Sequence, residues 1–382
     1  MKIAHVVTYR SKDGAYGGPL RVAEAQAAAL TERGHEVCLL AAAPAAEVTT
    51  MNGFEIREFV GGKLLPSRGF AFLTSPGLLW QVARRVRDFD VVHVHLSRDL
   101  VSLPAALLTL LRSVPFVVQT HGMIDESRRL SARLLDILAT RRILRRASVV
   151  LTLTKQEQVD ISTVAPGARL AFIENGVVPL AELPPLEGRK RVVLFLARLH
   201  QRKRPVAFVE MAALMARHDP DVEFIIAGPD EGELDNVRAA VELAGLESRL
   251  RVVGPVEPGE TDQLMTSASV YVLPAEGEVF PMTILEAFRV GTPVVTTTSL
   301  GIADMCRQFG AALVTDGSPP ELARAASVAL SDPGVARGLA MGGAELVRRS
   351  MNATAVGAQL EGHYVQAVNG RSRKGSRARV DR

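Results

Sequence analysis

The sequence predicts an α/β protein made of two lobes, each built on a parallel β-sheet with helices on both faces. Short β-branched runs alternate with amphipathic helical stretches through almost the whole chain, which is the pattern of repeated βαβ units. A chain of 382 residues is long enough for two such domains. A segment rich in proline and charge, VVPLAELPPLEGRK at 177–190, separates two series of strands and marks the boundary.

The predicted strands are short and rich in valine and leucine. In the first half they are KIAHVVTY, EVCLLAA, DVVHVHL, FVVQTH and SVVLTLT. In the second half they are RVVLFLARL, VEFIIAG, RLRVVGPV, SVYVLPA and TPVVTTT. The stretch PLRVAEAQAAALTERG joins the first two strands and stops at Gly34, as the helix of a βαβ unit does.

These patterns divide the chain into an N-terminal lobe at 1–178, a linker at 179–190 and a C-terminal lobe at 191–350. A further helix at 351–369 follows the second lobe, and we expect it to pack back on the first lobe. The basic end, 370–382, is predicted to be a disordered tail. Ligands of open α/β sheets bind beyond the carboxyl ends of the strands, so two lobes facing each other predict an interdomain cleft.

Charge and cysteine content exclude several classes of protein. The net charge is +4, but the last twelve residues alone hold six basic residues and one acidic residue. A folded basic surface for nucleic acid is therefore not indicated. Cys38 and Cys306 lie far apart without a CxxC spacing, which favours a reducing cytoplasm over a disulfide framework or a zinc site. The N-terminus reads as a strand and not as a signal peptide, and the longest apolar run, LVSLPAALLTLL, is too short to span a bilayer.

A glycine pair follows the first strand in AYGGPL. Gly17 and Gly18 would let a ligand approach the backbone closely, and Pro19 suits the beginning of a helix. A helix N-terminus presents unpaired N–H groups that suit a phosphate, although an ordinary loop has the same composition. The pattern is not GxGxxG, which weakens a dinucleotide-binding interpretation.

Two further strand ends carry charged or titratable groups. Arg198 and Lys203 follow the first strand of the second lobe, where two cations can neutralise a pyrophosphate or simply form a solvated turn. His121 ends the strand FVVQTH and can donate a hydrogen bond, act as a base or be purely structural. His93 and His95 share one face of a strand without a third metal ligand at useful spacing, so we interpret them as core or cleft-wall residues.

Two glutamates bracket an apolar run in EGEVFPMTILEAF. Glu278 precedes a turn and Glu286 lies near the start of a helix, so the two carboxylates either face solvent separately or converge on one ligand. Two Asp-x-Asp matches, at 88–90 and 219–221, precede their strands and therefore lie at the wrong sheet edge for a metal site.

One helix is both basic and apolar. In SRRLSARLLDILATRRILRRA, at 127–147, the residues Leu130, Leu134, Ile137, Leu138 and Leu144 fall on one face, and arginines occupy much of the rest. Such a helix either lies on an anionic membrane surface or is an ordinary outer helix of a parallel sheet.

Taken together, these motifs resemble the retaining glycosyltransferases of family 4, which have the GT-B fold of two Rossmann-like lobes. The resemblance runs in order through the glycine pair, DVVHVH, THG, ENGV, LARLHQRK, AGPDEGEL and VVGPV. Its most specific part is the spacing Glu-x7-Glu-Ala followed by Gly-x-Pro-Val-Val. The implied activity is transfer of a sugar from a nucleoside diphosphate to an unidentified acceptor, with polysaccharide or glycolipid synthesis as the expected setting.

The resemblance also implies roles for individual residues. Glu286 matches the residue that binds the ribose hydroxyls, and Glu278 and His121 match catalytic positions beside the donor sugar. The remaining matching positions bind the donor diphosphate through side-chain cations or backbone amides: Gly17, Gly18, Arg198, Lys203, Met282 and Thr283. No metal and no cofactor are expected, because fixed cations and helix N-termini can stabilise the leaving group.

Three positions depart from the family pattern. Ala197 and Arg204 stand where glycines are usual, and Pro281 replaces a glycine and removes one backbone N–H donor. These changes bear on donor identity more than on activity. The alternatives are a nucleotide-sugar 2-epimerase on the same fold and a catalytically inactive homologue, whereas an exported sugar-binding protein would need a signal peptide.

Overall fold

The computed structural model describes residues 1–11, 17–63, 72–127, 130–257 and 259–380, and they form two compact units. Unit 1 takes in the described residues up to Gly176 and again from Ala353 onward. Unit 2 takes in Val177–Asn352, so the segment predicted as a linker belongs to unit 2.

Unit 1 is built on an eight-stranded sheet in the order β10-β9-β8-β7-β1-β2-β4-β3. Its neighbouring strands are parallel except for the antiparallel pair β3–β4. The strands are β1 Lys2–Tyr9, β2 Glu36–Ala43, β3 Glu47–Met51, β4 Phe54–Val60, β7 Val91–His95, β8 Phe116–Gln119, β9 Val150–Thr152 and β10 Leu170–Phe172. A separate short antiparallel pair consists of β5 Gly62–Lys63 and β6 Leu73–Thr74.

The helices of unit 1 connect these strands and cover the sheet. They are α1 Gly17–Glu32, α2 Pro76–Arg85, α3 Ser102–Leu111, α4 Leu130–Leu135, α5 Arg141–Arg146, α6 Lys155–Val164 and α14 Ala353–Val380. A π-helical turn at Asp136–Thr140 joins α4 to α5, and a 3₁₀ turn at Val86–Asp88 follows α2. Within the described ranges, no helix is both long enough and apolar enough to cross a membrane.

Unit 2 has a six-stranded, wholly parallel sheet in the order β13-β12-β11-β14-β15-β16. The strands are β11 Val192–Leu196, β12 Glu223–Ala227, β13 Leu250–Gly254, β14 Val270–Leu273, β15 Val294–Thr297 and β16 Ala312–Thr315. The helices are α7 Pro205–Ala216, α8 Leu234–Ala244, α9 Thr261–Ser267, α10 Met282–Arg289, α11 Ala303–Gln308, α12 Pro319–Ser331 and α13 Pro333–Arg349, with a 3₁₀ turn at Gln201–Lys203.

Both units therefore confirm the predicted α/β class with two parallel-sheet, Rossmann-like lobes. The central strands are buried on both faces: every residue of β11, VVLFL, is buried, and such strands read as continuous apolar runs. Every strand predicted from the sequence is present. The β3–β4 hairpin was not predicted, although Asn52 and Gly53 at its turn both have the positive φ that an Asn-Gly hairpin turn needs.

The strand order fixes where a ligand can reach each sheet. In unit 1 the chain leaves β1 in one direction to β2 and returns on the other side at β7, so the switch point lies between β1 and β7. In unit 2 the corresponding point lies between β11 and β14. The crevice beyond the carboxyl ends of the strands at such a point is where open α/β sheets bind ligands.

The last helix, α14, is part of unit 1 and packs against α1. A Cβ placed on Gly357 would lie 2.9 Å from Cβ of Ala29, which shows how closely the two helices approach. Glu361 accepts hydrogen bonds from Arg33 and pairs with His35 at the end of α1. The backbone of α14 is helical as far as Val380, whereas the sequence predicted a disordered tail; arginine and lysine are good helix formers, so the tail can continue the helix.

Candidate functional site

The first strand of unit 2 ends in a cation held by a carboxylate. Nη1 of Arg198, just after β11, donates to both oxygens of Glu231 at 2.8 and 2.7 Å. Glu231 follows β12, the strand next to β11, so the two loops meet at one edge of the sheet. The contact with both oxygens fixes the guanidinium beside the switch point. The motif AGPDEGEL was recognised in the sequence, but the salt bridge of its Glu231 with Arg198 was not predicted.

The close approach of these two loops depends on one glycine. Gly228 directly follows β12 with φ +141°, and a Cβ there would lie 1.9 Å from the carbonyl oxygen of Ala197. An L-residue at this position would collide with the backbone that leads into Arg198. Gly228 therefore sets the distance between the loop that carries Arg198 and the loop that carries Glu231.

Lys203 and Glu278 form the second charged pair of unit 2. Nζ of Lys203, in the 3₁₀ turn after β11, lies 2.6 Å from Oε2 of Glu278, which follows β14. The lysine is almost completely buried, and the glutamate side chain is 23% exposed. The guanidinium of Arg202 contacts the carbonyl oxygen of Gly277, and the amide of Glu276 donates to the carbonyl oxygen of Arg202 at 2.8 Å, so several contacts join the turn after β11 to the β14 loop.

The pKa values of this pair move in the same direction for different reasons. Burial lowers the pKa of Lys203 below 10.5, and the attraction of Glu278 offsets only part of that effect. Burial alone would raise the pKa of Glu278, but Lys203, followed by Arg202 and Arg198, outweighs it and lowers the pKa below 4.5. The 2.6 Å contact between Nζ and Oε2 is that of a salt bridge, in which each group favours the charged form of the other.

Arg204 occupies the position where family 4 enzymes usually have glycine, and its backbone explains that preference. Its φ of +54° lies in the left-handed region, which costs a residue other than glycine about 1 kcal/mol. Nη1 of Arg204 donates to the carbonyl oxygens of Gly317 at 2.9 Å and Pro274 at 3.4 Å. These contacts hold the strained turn that positions Lys203.

The helix α10 begins directly beyond the β14 loop. Pro281 precedes it and offers no side-chain acceptor, so the amides of the first turn, including Met282 and Thr283, have no side-chain cap from that residue. Oγ1 of Thr283 accepts a hydrogen bond from the hydroxyl of Tyr271 at 2.7 Å, which fixes the helix on β14. Glu286 lies on α10 half-buried, one turn further along.

In unit 1, His121 lies in a strained turn after β8. Its φ is +51° and that of Gly122 is +72°. The carboxylate of the buried Glu157 holds this turn, because it accepts hydrogen bonds from the hydroxyl of Thr120 and from the amides of Gly122 and Leu153. A strained backbone that the surroundings hold so firmly is typical of a functional position. Glu157 was not identified from the sequence.

The glycine pair lies at the beginning of α1. The helix starts at Gly17, two residues before the predicted Pro19. A Cβ added to Gly18 would meet no described atom within 4 Å. The preceding residues, 12–16, lie outside the described part of the chain. Gly18 is exposed, whereas Leu20, two residues further along the helix, is buried. Phosphate binding at this helix N-terminus stays a prediction.

Three buried histidines, His5, His93 and His95, bring ring nitrogens within 4.8 Å of one another. His5 faces His93 across the β1–β7 pair and supplies the third ring that sequence spacing did not reveal. The rings of His93 and His95 are stacked, with centroids 4.5 Å apart and planes 22° from parallel. Because the lone pairs of imidazole nitrogens lie in the ring plane, these two rings do not point at a common metal position.

The helix at 127–147 differs from its prediction in where the apolar face lies. Leu134, Ile137 and Leu138 are 57 to 65% exposed, whereas Leu144 is buried. The core-facing side includes Asp136, whose carboxylate pairs with Arg98 at 2.9 and 3.0 Å. Leu134, Ile137 and Leu138 therefore face solvent together with the arginines, whereas Leu135 and Ala139 pack in the core of unit 1. The side chain of Leu130 lies outside the described residues.

The structure thus groups the predicted residues by unit. Arg198, Lys203 and Glu278 come together at the switch point of unit 2, and α10 with Met282, Thr283 and Glu286 follows directly. His121, Gly17 and Gly18 belong to unit 1. The roles that the resemblance assigns to all nine residues remain predictions, since the geometry gives their positions and not their ligands.

Comparison with known proteins identifies the family. The family described as "Glycosyl transferase 4-like domain" matches residues 17–176, and the family described as "Glycosyl transferases group 1" matches residues 183–344. Together the two matches take in most of both units. The chain belongs to the family 4 glycosyltransferases. The predicted family and the predicted enzyme class are thereby confirmed.

This glycosyltransferase has curated relatives that are named for different reactions. It is 26% identical over 334 residues to the D-inositol 3-phosphate glycosyltransferase of Corynebacterium glutamicum, covering 80% of this chain and 78% of the relative. It is also 26% identical over 279 residues to the alpha-D-kanosaminyltransferase of Streptomyces kanamyceticus, covering 68% and 72%. Identity at this level leaves the acceptor of this glycosyltransferase unspecified.

Solved structures confirm the GT-B fold. The sucrose-phosphate synthase from Thermosynechococcus elongatus superimposes with a TM-score of 0.76 at 18% identity, over 97% of this chain and 100% of that one. HepE from Anabaena, solved with UDP and glucose, superimposes with a TM-score of 0.72 at 18% identity, over 94% and 98%. At such low identity these structures establish the architecture alone.

Proposed function

We propose that this glycosyltransferase transfers a sugar from a nucleoside diphosphate donor with retention of the anomeric configuration and without a metal ion. The observation that carries the proposal is the set of charges at the switch point of unit 2. Arg198 and Lys203 are fixed there by Glu231 and Glu278, directly before the uncapped helix α10. Two fixed cations and the free amides of a helix N-terminus supply the positive charge and the hydrogen-bond donors that bind a diphosphate.

In this proposal, unit 2 binds the donor. The diphosphate oxygens accept from Arg198, Lys203 and the first amides of α10, at Met282 and Thr283, and the ribose hydroxyls donate to Glu286. Glu278 then has two tasks: it holds Lys203 in place and it contacts the donor sugar. The fixed positive groups favour the charge that develops on the leaving diphosphate, which is the role a metal ion takes in other enzymes.

The proposed reaction breaks the bond between the anomeric carbon and the phosphate oxygen, and the acceptor oxygen bonds to the same face of that carbon. The proton of the acceptor hydroxyl passes to an oxygen of the departing diphosphate. Such a reaction needs no second protein carboxylate near His121. The first turn of α1, at Gly17 and Gly18, is proposed to contact phosphate oxygens.

The test is a panel of UDP-, GDP-, ADP- and dTDP-sugars incubated with the enzyme, with hydrolysis followed by mass spectrometry. Dilute methanol as a surrogate acceptor would trap the sugar as a methyl glycoside, whose anomeric configuration is stable and can be read by NMR. A retained configuration supports the proposal, and an inverted one contradicts it. Conversion of the donor sugar into its 2-epimer without any acceptor would favour the epimerase, and no turnover of any donor would favour an inactive homologue.

We also propose that the exposed face of α4, the π-helical turn and α5 contacts an anionic membrane surface, which would place the enzyme at the inner face of the membrane near a lipid-linked acceptor. The exposed apolar side chains of Leu134, Ile137 and Leu138 support it. So do four exposed arginines, Arg141, Arg142, Arg145 and Arg146. Apolar residues for the acyl boundary and cations for anionic headgroups are the two attractions that hold an interfacial helix.

Co-sedimentation with vesicles tests the membrane contact. We expect binding to vesicles containing phosphatidylserine and little binding to phosphatidylcholine alone, and Arg141→Glu with Arg145→Glu should abolish it. The matched control is Arg348→Glu with Arg349→Glu, which makes the same charge change on exposed residues of α13. Equal loss in both pairs of variants, or no binding by the unaltered protein, would contradict the contact.

A further inference from the structure

A continuous hydrogen-bonded chain of five aromatic side chains runs through the interior of unit 1 and ends at His121. Nδ1 of His93 lies 2.7 Å from the hydroxyl of Tyr364, which lies 3.4 Å from Nε2 of His5. Nδ1 of His5 lies 3.1 Å from Nε2 of His95. Nδ1 of His95 lies 2.8 Å from Nε2 of His121. The chain joins β1, β7, α14 and the turn after β8.

The ring geometry shows that the last two links are true hydrogen bonds. The centroids of His95 and His121 are 5.0 Å apart and their planes 11° from parallel. The centroids of His5 and His95 are 5.4 Å apart. In both pairs the centroid distance exceeds the nitrogen–nitrogen distance by about 2 Å, as expected for rings that lie end to end with the proton between them in the ring plane.

All four histidines are neutral, so each carries one ring proton. Burial lowers the pKa of His5 and of His121 to about 3 and holds the pKa of His93 and His95 well below 6.5. A neutral imidazole donates from one nitrogen and accepts at the other. Once the protonated nitrogen of one ring is known, the protonated nitrogen of each other ring in the hydrogen-bonded chain is therefore determined.

The environment of His93, at the end of the hydrogen-bonded chain remote from His121, decides which group donates in each hydrogen bond. Nε2 of His93 is fully buried and has no hydrogen-bond partner among the described residues. A buried N–H without an acceptor is rarer in proteins than a buried acceptor without a donor, so the proton of His93 belongs on Nδ1 and points to Tyr364. The Tyr364 hydroxyl has one proton, and the nitrogen left to receive it is Nε2 of His5.

The remaining protons follow in order. His5 carries its proton on Nδ1 and donates to Nε2 of His95, and His95 carries its proton on Nδ1 and donates to Nε2 of His121. The Nε2 of His121 is then an acceptor, so its proton sits on Nδ1. Free neutral histidine prefers the opposite form, with the proton on Nε2, so the chain imposes the minor tautomer.

We propose that His95 is a positioning residue that fixes His121 as the Nδ1–H tautomer, so that His121 acts as a hydrogen-bond donor to an oxygen of the donor sugar and not as a general base. The inference rests on the proposed function, because it takes the donor sugar as the ligand of His121. The inference extends the site around His121 by four residues to which the sequence motifs assigned no role there: His5, His93, His95 and Tyr364.

The direct test is two-bond ¹H–¹⁵N correlation NMR of the full chain labelled with ¹⁵N-histidine. The chain has eight histidines, and a His121→Asn sample identifies the signals of His121 by their absence. The expected result at pH 7 is a protonated Nδ1 and an unprotonated Nε2 for His121. A protonated Nε2, or one equivalent of zinc bound to purified protein and lost in His93→Asn, would overturn the proposal. This readout needs no substrate, so it succeeds or fails separately from the proposed function.

A matched pair of variants at His95 tests the positioning role. Asparagine can place an amide N–H where Nδ1 of His95 now lies, and leucine is of similar size without a donor. We expect His95→Leu to give a mixture of His121 tautomers and a kcat at least about tenfold lower, with nucleoside diphosphate affinity unchanged. His95→Asn should restore the Nδ1–H form and most of kcat. A single, unchanged tautomer in His95→Leu would overturn the role of His95.

A second pair at His121 separates donor from base. Asparagine and aspartate both tolerate the positive φ at this position and have the same shape, but only asparagine can donate from the Nδ1 position. If His121 is a donor, His121→Asn keeps more activity than His121→Asp. The reverse order would show that a base is required and would overturn the proposal. Variants that fold are recognised by an unchanged far-ultraviolet circular dichroism spectrum.

Discussion

Nζ of Lys203 lies 2.6 Å from Oε2 of Glu278, and these two residues come from the two strands that flank the switch point of unit 2. Lys203 belongs to the turn after β11, and Glu278 to the loop after β14. The two opposite charges compensate each other where water is partly excluded. Removing either residue would leave the other as an unpaired, largely buried charge, which is destabilising. The pair therefore couples the proposed diphosphate position to the proposed sugar position.

The first prediction concerns Lys203. Lys203→Met keeps the length of the side chain and removes its charge, so the leaving diphosphate loses one fixed cation. We expect kcat/KM for the donor to fall at least about 100-fold, or about 2.7 kcal/mol in the transition state. Steady-state rates of donor consumption measure it. Arg307→Met is the control, since it breaks the exposed ion pair with Asp304, which contributes well under about 1 kcal/mol. A similar small effect for both variants would contradict the assignment of Lys203.

The second prediction concerns Gly228. Gly228→Ala should lower the free energy of unfolding by about 3 kcal/mol or more, because its Cβ would lie 1.9 Å from the carbonyl oxygen of Ala197. Gly232→Ala is the matched control: it also has a positive φ, +103°, but no described atom within 4 Å of the new Cβ. The control should cost about 1–2 kcal/mol. Scanning calorimetry compares them, and equal losses would show that strain alone explains the effect.

The third prediction concerns acid stability. The buried histidines stay neutral in the folded chain down to about pH 3 for His5, but they take up protons near pH 6.5 when unfolded. Their contribution is therefore complete above pH 6.5 and is lost as the pH falls toward 3. Each such histidine adds a slope of about 1.4 kcal/mol per pH unit to the free energy of unfolding.

Urea titrations between pH 7 and 4 measure this slope through the fluorescence of Trp80, the single tryptophan of the chain, which lies in α2 of unit 1. His93→Phe should reduce the slope by about 1.4 kcal/mol per pH unit. The exposed His218, changed to Gln, serves as the control. An equal slope in His93→Phe and the unaltered protein would show that His93 binds as many protons in the folded chain as in the unfolded chain, and would contradict the lowered pKa.

The sequence predicted central strands of both sheets, such as β11 and β14 of unit 2, because they are buried on both faces and are apolar throughout. It also located Arg198, Lys203, Glu278 and Glu286, since each follows a strand in a recognisable motif. It did not predict that Lys203 pairs with Glu278, because the two residues are distant in sequence and the pairing depends on β11 lying beside β14.

The histidine chain could not be predicted for the same physical reason. His5 reaches His93 only through the parallel register of β1 and β7, and Tyr364 enters from the last helix. Register between strands distant in sequence is set by the folded sheet and has no local signature. Glu157 and Glu231 were missed because nothing in the sequence distinguishes a glutamate that holds a turn from one that faces solvent.

The fourth prediction concerns Glu286. Glu286→Ala removes the proposed acceptor for the ribose hydroxyls, so the Kd of the nucleoside diphosphate should rise at least about tenfold, or about 1.4 kcal/mol. The unaltered enzyme should also bind the 2′-deoxy analogue more weakly, whereas the variant should not distinguish the two nucleotides. Calorimetric titration of both proteins with both nucleotides measures this. If both proteins preferred the nucleotide over its 2′-deoxy analogue to the same extent, Glu286 would not be the residue that binds the ribose hydroxyls.

We propose that unit 2 binds a nucleoside diphosphate through its own cations and amides, without a metal ion. Isothermal titration calorimetry of UDP, GDP, ADP and dTDP in the presence of excess EDTA tests this proposal. At least one of these diphosphates should bind with a Kd in the micromolar range, and adding Mg²⁺ should leave that Kd unchanged. Binding that appears only when Mg²⁺ or Mn²⁺ is supplied, or no binding of any of the four, would contradict it.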